Sequence, residues 1–265
     1  MAEGLSVESL SRGEPALIVQ AEEPRILIVG LHGDETLAPR LAHHLYTEKP
    51  EYSRFVDYIC GNPEAMAEGT RHVGYDLNRA FGLAERCDAE PPEIRARQKA
   101  RAILGMIGTR RYDYVLDMHT SDTETEGFFL ITRRNEFVDT IIGASVLRHV
   151  AVMAPHLIEN TLMGAAAHAV SIEYARADEG RDVEESLGLV ERLLIGETPD
   201  PQPREFFNVT REITKDEDPG DVPNFIWCPD GYYPVLLGKD GRDSYRNSPG
   251  DLLCFAADTM SREKL

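Results

Sequence analysis

Residues 25–35 read RILIVGLHGDE, an apolar run that leads into a turn containing two glycines. A short continuous apolar run bounded by a turn predicts a strand that is buried on both faces, as in parallel sheets. Open α/β sheets place their ligand sites outside the carboxyl ends of such strands. We therefore expect the polar side chains of this turn, His32 and Glu35, to lie at a site on that edge of the sheet.

These two residues have the chemistry and the spacing of metal ligands. His32 and Glu35 are separated by two residues, so one turn can direct an imidazole and a carboxylate at the same point. The best candidate for a third ligand is His119, which follows a second apolar run at residues 114–116. Two histidines and one glutamate, with a fourth position left for water, form a known catalytic zinc set. An isolated H-x-x-E pattern is common by chance, so the hypothesis depends on further motifs.

The composition is typical of a globular protein. The 265 residues are 42% hydrophobic, enough for one large domain or two unequal ones. No stretch approaches the roughly 18 apolar residues of a membrane span, and the first residues do not resemble a signal peptide. We therefore expect a cytoplasmic protein with no membrane partner. The formal net charge of −18 argues against nucleic acid as a partner, because phosphate binding needs a basic surface.

The cysteines do not form a recognisable metal or disulfide pattern. They are scattered along the chain without a C-x-x-C pair, at Cys60, Cys87, Cys228 and Cys254. In a cytoplasmic chain such residues are more often small buried side chains than disulfide partners or metal ligands.

Apolar runs and helical periodicity alternate over the first 195 residues. Strands are predicted at residues 16–20, 25–29, 55–61, 114–116, 128–132 and 169–175, and helices at 37–45, 91–107, 139–150 and 182–196. This alternation is typical of a mostly parallel α/β sheet flanked by helices. After a proline-rich acidic stretch at 198–203, short β-like runs follow at 206–209, 225–228, 233–237 and 252–255. We predict a catalytic α/β domain at residues 1–197 and a small β-rich domain at 198–265.

Hydrolysis at a metal centre also needs a base. Glu173 lies near the end of the predicted strand 169–175 and is flanked by apolar residues. Partial burial there would raise the pKa of its carboxyl group towards a value that suits a general base. Taken alone, a glutamate at a strand end is more often simply exposed.

A second polar cluster offers groups that can hold a substrate. Arg71 and Arg79 bracket the segment that contains Asp76 and Asn78. One guanidinium can bind a carboxylate with two hydrogen bonds, and the other can polarise a carbonyl. Asp76 could orient Arg71, and Asn78 could donate a further hydrogen bond to a bound carboxylate. Taken alone, such a cluster is usually a solvated surface network.

Five motifs in order resemble one known family. They are H-G-D-E at 32–35, N-P at 62–63, the run from Arg71 to D-L-N-R at 76–79, D-M-H at 117–119 and S-I-E at 171–173. Together they resemble the succinylglutamate desuccinylase/aspartoacylase family, a branch of the zinc carboxypeptidase-like enzymes. The resemblance covers roughly residues 25–195 and extends more loosely to residues 231–236.

The resemblance implies a fold, a cofactor and a reaction. The fold would be a mixed, mostly parallel central sheet flanked by helices, with a smaller C-terminal β-rich domain. The cofactor would be one zinc ion per chain, held by His32, Glu35 and His119. The reaction would be hydrolysis of the amide bond of a small N-acyl amino acid.

The resemblance also implies a role for each residue of the remaining motifs. Glu173 would be the general base and then the general acid. Arg71 would polarise the scissile carbonyl, and Asn78 and Arg79 would bind the α-carboxylate of the amino acid, with Asp76 beside them.

The sequence departs from aspartoacylases at two places. Their arginine about ten residues before the catalytic glutamate is replaced here by Leu-Met-Gly at 162–164, and their late tyrosine has its nearest counterpart in Tyr245, displaced by a few residues. N-acetylaspartate is therefore not the expected substrate. His168, Arg176 and Arg181 are candidates for the missing specificity.

Two other functions remain open from the sequence. The chain could be a metallocarboxypeptidase that trims peptides, or a metal-binding homologue that has lost catalysis. Formation of a homo-oligomer is also left open.

Overall fold

The computed structural model describes residues 16–19, 21–82, 89–121, 126–176, 180–199, 202–238 and 252–264, without the side chains of 16–19 and 259–264. The chain forms two compact units. The first unit contains the residues up to His119 together with Glu159–Ala169. The second unit contains Thr120–Ile158 and the residues from Val170 onwards.

Strands and helices alternate along most of the described chain. The strands are β1 Ala16–Val19, β2 Ile26–Gly30, β3 Val56–Cys60, β4 Tyr114–Ser121, β5 Phe128–Ile131, β6 His149–Met153, β7 Ala169–Ala175, β8 Pro203–Thr214, β9 Tyr233–Val235 and β10 Leu252–Lys264. The α-helices are α1 Leu37–Glu48, α2 Pro50–Ser53, α3 Pro63–Glu68, α4 Pro91–Arg110, α5 Glu136–Ala144, α6 Pro155–Ile158, α7 Leu162–Ala165 and α8 Arg181–Ile195. Short 3-10 helices lie at Leu77–Arg79 and Lys215–Glu217.

The strand β2 lies between two parallel neighbours in the first unit. It pairs in parallel with β3 and with β4, and β1 pairs antiparallel with β3. Each of the residues 26–29 is 0% exposed, as expected for a parallel strand that is covered on both faces. Val29 lies opposite Asp117, so the turn after β2 and the end of β4 emerge at the same edge of the sheet.

The helix α1 begins directly after the His32–Glu35 turn. Its leucines at positions 37, 41 and 45 are 0% exposed, because a spacing of four residues places side chains on one face of a helix. Pro39 lies within the first turn of α1, where its missing N–H removes no helical hydrogen bond.

One apolar cluster holds the first unit together. It joins Leu27 and Ile59 of the sheet to Ile103 of α4 and Leu162 of α7. The segment Glu159–Ala169 is thereby part of this unit, although it follows residues that belong to the second unit.

The second unit is built on β5, which pairs in parallel with β6 and antiparallel with β7. The strand β8 pairs in parallel with β6, and β10 pairs antiparallel with both β8 and β9. The helices α5 and α8 lie in contact with each other.

The predicted fold class is confirmed: the protein is a mixed α/β protein whose central strands are mostly parallel and flanked by helices, with antiparallel pairs towards the sheet edges. The two compact units divide the chain at other points than residue 197, and the predicted boundary between a catalytic and a β-rich domain stays a prediction. Among the described residues, no helix has the length and apolar character needed to span a membrane.

The predicted helix at 139–150 is wrong in its second half. The helix α5 ends at Ala144, where the buried guanidinium of Arg204 donates to the carbonyl oxygens of Ile142 (3.2 Å) and Ser145 (2.7 Å). The apolar residues that follow form β6 because they pair with strands on both sides, and this pairing outweighs their helical spacing.

The predicted strand at 225–228 is also wrong. Phe225 has a φ of 61°, and the N–H of Ile226 donates to the carbonyl oxygen of Pro223 (3.3 Å), so the segment begins in a tight turn. Its apolar character reflects side-chain packing instead, since the ring of Phe225 stacks on His149 with a centroid distance of 4.7 Å.

The close approach of the His32–Glu35 turn to α3 yields a stability prediction. A Cβ atom on Gly33 would lie 2.1 Å from the carbonyl carbon of Ala65 and 2.2 Å from the amide nitrogen of Met66. Gly33→Ala should therefore lower the free energy of unfolding by more than about 2 kcal/mol. Urea unfolding followed by circular dichroism measures this change.

The matched control is Gly105→Ala in α4, where an added Cβ meets nothing within 4 Å. It should raise the free energy of unfolding by about 0.5–1 kcal/mol, because alanine is the better helix former. Wild-type stability of Gly33→Ala would contradict the packing of α3 on the turn.

Candidate active site

The three predicted metal ligands lie together in the first unit. His32 and Glu35 come from the turn after β2, and His119 comes from β4. Their side chains are 2%, 3% and 2% exposed, and their ligand atoms all lie within 4.8 Å of one another. The parallel pairing of β2 with β4 brings together residues that are more than 80 positions apart in the chain.

Both imidazoles face the same carboxylate. The Nδ1 atom of His32 lies 2.7 Å from Oε1 of Glu35, and the Nδ1 atom of His119 lies 2.8 Å from Oε2. The ring centroids of the two histidines are 4.9 Å apart. Glu35 therefore connects the two rings, and each ring directs the same nitrogen at it.

The backbone around the turn fixes this arrangement. The N–H of Gly33 donates to the carbonyl oxygen of Arg71 (3.1 Å), which ties the turn to the segment that contains the second polar cluster. Glu35 immediately precedes Thr36, whose carbonyl oxygen accepts the N–H of Arg40 in α1 (3.1 Å). The start of a rigid helix therefore follows directly after the carboxylate.

A second carboxylate lies behind each imidazole. The Nε2 atom of His32 lies 3.1 Å from Oδ1 of Asp76, and the Nε2 atom of His119 lies 3.0 Å from Oδ2 of Asp117. In metal sites, a carboxylate on the outer nitrogen fixes the tautomer and the orientation of a histidine ligand. Asp117 belongs to the D-M-H motif and shares a strand face with His119 two residues away, but its spacing alone predicted no role for it.

The residues of the second polar cluster lie against the histidines and Glu35. Arg71 donates from Nη1 to Oε1 of Glu35 (3.1 Å), and its Nε lies 3.5 Å from Oδ2 of Asp76. Asp76 also accepts the N–H of Asn78 at Oδ1 (2.8 Å), which caps the 3-10 helix Leu77–Arg79. Arg79 donates from Nη1 to the carbonyl oxygen of Asn78 (2.9 Å).

Asn78 connects the histidines to the segment that returns from the second unit. Its Oδ1 accepts the N–H of Leu162 (3.1 Å), and its Nδ2 lies 3.3 Å from Nε2 of His119. The amide is 9% exposed, and its orientation is fixed because a backbone N–H can only donate.

Burial and the neighbouring charges shift the pKa values of the site in opposite directions. Burial and the charge of Arg71 lower the pKa of His32, but Glu35 and Asp76 together outweigh them and raise this pKa above its ordinary value. Burial is likewise outweighed at His119, where Asp117 and Glu35 raise the pKa well above the ordinary value. At Glu35 burial raises the pKa, but the two histidines hold it well below the usual range. The carboxylates therefore favour positive charge on the imidazoles.

The donor set fits a zinc ion. Two imidazole nitrogens and one carboxylate oxygen are the three protein ligands of many catalytic zinc sites. Here all three groups are buried, mutually close, and supported by outer carboxylates on both rings. Among the residues that the structure describes, His32, Glu35 and His119 are the group of potential ligands that meets these criteria.

The predicted base and the specificity candidates lie elsewhere in the chain. Glu173 is in β7 of the second unit, 8% exposed and opposite Phe128 of β5, and its role stays a prediction. His168 is exposed, Arg176 is partly buried, and Arg181 is exposed and paired with Glu185 (2.8 Å). Tyr245 lies outside the described residues.

Comparison with known proteins points to one family. A family model described as the succinylglutamate desuccinylase/aspartoacylase catalytic domain matches residues 22–177. The succinylglutamate desuccinylase of Pseudomonas fluorescens (strain SBW25) is 28% identical over 282 residues, covering 90% of this chain and 80% of that protein. A probable aspartoacylase of Prochlorococcus marinus (strain AS9601) is 31% identical over 126 residues, covering 45% of this chain and 42% of that protein.

Solved structures with the same fold include two enzymes named for related reactions. Murine aminoacylase 3 matches with a TM-score of 0.66 and 16% identity, covering 92% of this chain and 98% of that chain. The succinylglutamate desuccinylase of Vibrio parahaemolyticus matches with a TM-score of 0.64 and 18% identity, covering 91% of this chain and 82% of that chain. Since the family model spans more than half of the sequence and includes every predicted site residue, the chain belongs to the succinylglutamate desuccinylase/aspartoacylase family.

Proposed function

We propose that this protein is a zinc-dependent deacylase that hydrolyses the amide bond of a small N-acyl amino acid. The observation that carries the proposal is the buried cluster of His32, Glu35 and His119. Membership of a family of deacylases supports the reaction class. Zinc bound by these three residues would supply Lewis acidity towards a carbonyl oxygen and towards a water molecule at neutral pH.

Arg71 is proposed to polarise the scissile carbonyl. Its guanidinium contacts Oε1 of Glu35, and the side chain as a whole is 30% exposed, so Arg71 reaches the ligand cluster while part of it stays open to a substrate. Asp76 lies 3.5 Å from the Nε atom of Arg71 and would keep the guanidinium oriented. A donor held in place before the reaction stabilises the developing oxyanion without reorganisation.

Asn78 and Arg79 are proposed to bind the α-carboxylate of the amino acid. Both belong to the 3-10 helix that Asp76 caps, so their backbone is fixed next to the histidines. Asn78 has a second N–H on Nδ2 beyond the one that faces His119, since a primary amide carries two donors. A guanidinium and an amide together suit a carboxylate.

Glu173 is proposed to act as general base and then as general acid. It would take a proton from the attacking water as the C–O bond forms. It would return that proton to the amide nitrogen as the C–N bond breaks, which releases a carboxylate and a free amino acid. Glu173 is only 8% exposed, and this burial supports the role because a partly desolvated carboxylate is a stronger base.

The substrate is proposed to differ from N-acetylaspartate. The segment that corresponds to the arginine of aspartoacylases is Leu162–Gly164, in which Leu162 and Met163 are 0% and 4% exposed. Apolar buried side chains offer no charge to a second carboxylate at that position. N-succinylglutamate is the first candidate, because a relative that covers 90% of this chain is a succinylglutamate desuccinylase. Its further carboxylates would have to be bound by groups other than Leu162 and Met163.

A substrate panel with and without a chelator tests the reaction class. Zinc-loaded protein should hydrolyse at least one member of a panel that contains N-succinylglutamate, N-acetylaspartate and N-acetyl derivatives of apolar amino acids. Dialysis against a chelator should abolish the activity, and added zinc should restore it. Release of the free amino acid is the measured quantity.

Two results would contradict this function. Turnover of blocked dipeptides without turnover of N-acyl amino acids would indicate a metallocarboxypeptidase. A zinc-loaded protein that is inert towards the whole panel would indicate a homologue without catalysis.

The role of Glu173 is tested by Glu173→Gln. This change keeps the shape of the side chain and removes the base, so kcat should fall by about 10² or more while the protein still binds zinc. The matched control is Glu212→Gln on β8, an exposed glutamate in the same unit, which should keep wild-type kcat. Full activity of Glu173→Gln would refute the proposed role.

The cellular location, the partners and the oligomeric state of the protein remain predictions. We expect a cytoplasmic location, small-molecule substrates and no nucleic-acid or membrane partner, and a homo-oligomer is left open. Other first-row divalent ions also accept imidazole and carboxylate ligands, so zinc is the proposed metal on the grounds of the donor set and the family.

A further inference from the structure

Asp117 is a buried carboxylate that the proposed reaction does not use. It lies in β4, is 0% exposed, and occupies the same strand face as His119. Burying an ionised carboxylate is costly unless a partner compensates for the loss of water. Among the described residues, Nε2 of His119 lies at ion-pair distance, 3.0 Å from its Oδ2, and neither carboxylate oxygen accepts a hydrogen bond from any other group.

His119 has two polar neighbours at Nε2, and they favour different tautomers. The carboxylate of Asp117 can only accept, so it favours a proton on Nε2. The Nδ2 atom of Asn78, 3.3 Å away, can only donate, so it favours a lone pair on Nε2. Leu162 holds the amide of Asn78 in this orientation, so the conflict cannot be relieved by an amide flip.

The metal-facing side of the ring decides which tautomer the site needs. The Nδ1 atom of His119 lies 2.8 Å from Glu35 and belongs to the cluster of potential ligands. A nitrogen must carry a lone pair to bind a metal, so the proton has to reside on Nε2. Of the two neighbours of Nε2, only Asp117 supports that state.

We propose that Asp117 is a positioning residue that accepts a hydrogen bond from Nε2–H of His119 and thereby keeps Nδ1 available and aimed at the metal centre. This inference rests on the proposed function, since it assigns a task within the same metal centre. In this arrangement His119 is supported by Asp117 of the same strand, and His32 is supported by Asp76 from a separate segment.

The chain offers a matched control for a purely structural role. Asp57 in β3 is also 0% exposed, and it accepts the N–H of Ala21 and the hydroxyl of Tyr112 and pairs with Arg110. It is a buried carboxylate of the same unit that contacts none of the three ligands. Loss of stability alone should therefore affect Asp57 and Asp117 variants alike, whereas zinc affinity should respond only to Asp117.

The test measures zinc affinity by competition with a chromophoric chelator, at a temperature at which each variant is folded by circular dichroism. Asp117→Ala should weaken zinc binding about 10–100-fold. Asp117→Asn should weaken it less, because the amide oxygen still accepts from Nε2–H. Asp57→Asn should bind zinc as the wild type does, even where its melting temperature is lowered.

The outcomes separate this inference from the proposed function. Wild-type protein that binds no zinc would overturn both. Zinc binding by the wild type with unchanged affinity in Asp117→Ala, or with an equal loss in Asp57→Asn, would overturn the role of Asp117 alone. Where Asp117→Ala does not fold, unchanged affinity in Asp117→Leu, which has a similar shape and no acceptor, would overturn it.

Discussion

The carboxylate of Glu35 is shared by two imidazoles, and the rest of the site is arranged around it. One oxygen faces His32 and the other faces His119, at 2.7 and 2.8 Å. This geometry requires the turn after β2 and the end of β4 to meet at one edge of the sheet. The parallel pairing of the two strands provides that meeting, because equivalent ends of parallel strands lie side by side. The folded sheet therefore creates a ligand set that no local segment contains.

The buried charges of the site stabilise one another. Glu35 and Asp117 would each be costly to bury alone, and Asp76 is partly buried. Each of the three carboxylates contacts an imidazole, and Arg71 contacts both Glu35 and Asp76. Such a network is favourable only while every member has a partner, because removing one leaves a buried charge uncompensated. Every member therefore constrains the others, and the ring orientations follow from the whole set.

Much of this site was predictable from the sequence because its parts carry local signals. The apolar run before His32 identified a buried strand, and the glycines identified the turn. His119 was found because it also follows an apolar run, and the structure confirms that β2 and β4 are neighbours. The helices at Leu37–Glu48 and Arg181–Ile195 were predicted correctly, since their periodicity agrees with their packing.

The features that were missed depend on contacts between distant segments. The apolar residues of β6 fit a helix by spacing, and only pairing with β5 and β8 makes them a strand. Phe225 belongs to an apolar run because its ring packs on His149, although its backbone lies in a turn. The two-residue spacing of Asp117 and His119 indicates that they share a strand face. This spacing predicts a contact only once both residues are known to be buried on that face.

X-ray absorption spectroscopy at the zinc edge of the loaded protein tests the central claim most directly. The account predicts a first shell of nitrogen and oxygen atoms only, at about 2.0–2.2 Å, with the outer-shell scattering of two imidazole rings. The variant His119→Ala should show one imidazole ring. Sulfur scattering at about 2.3 Å, which would indicate cysteine ligands, or a spectrum unchanged in His119→Ala would contradict a metal centre built on Glu35 and the two histidines.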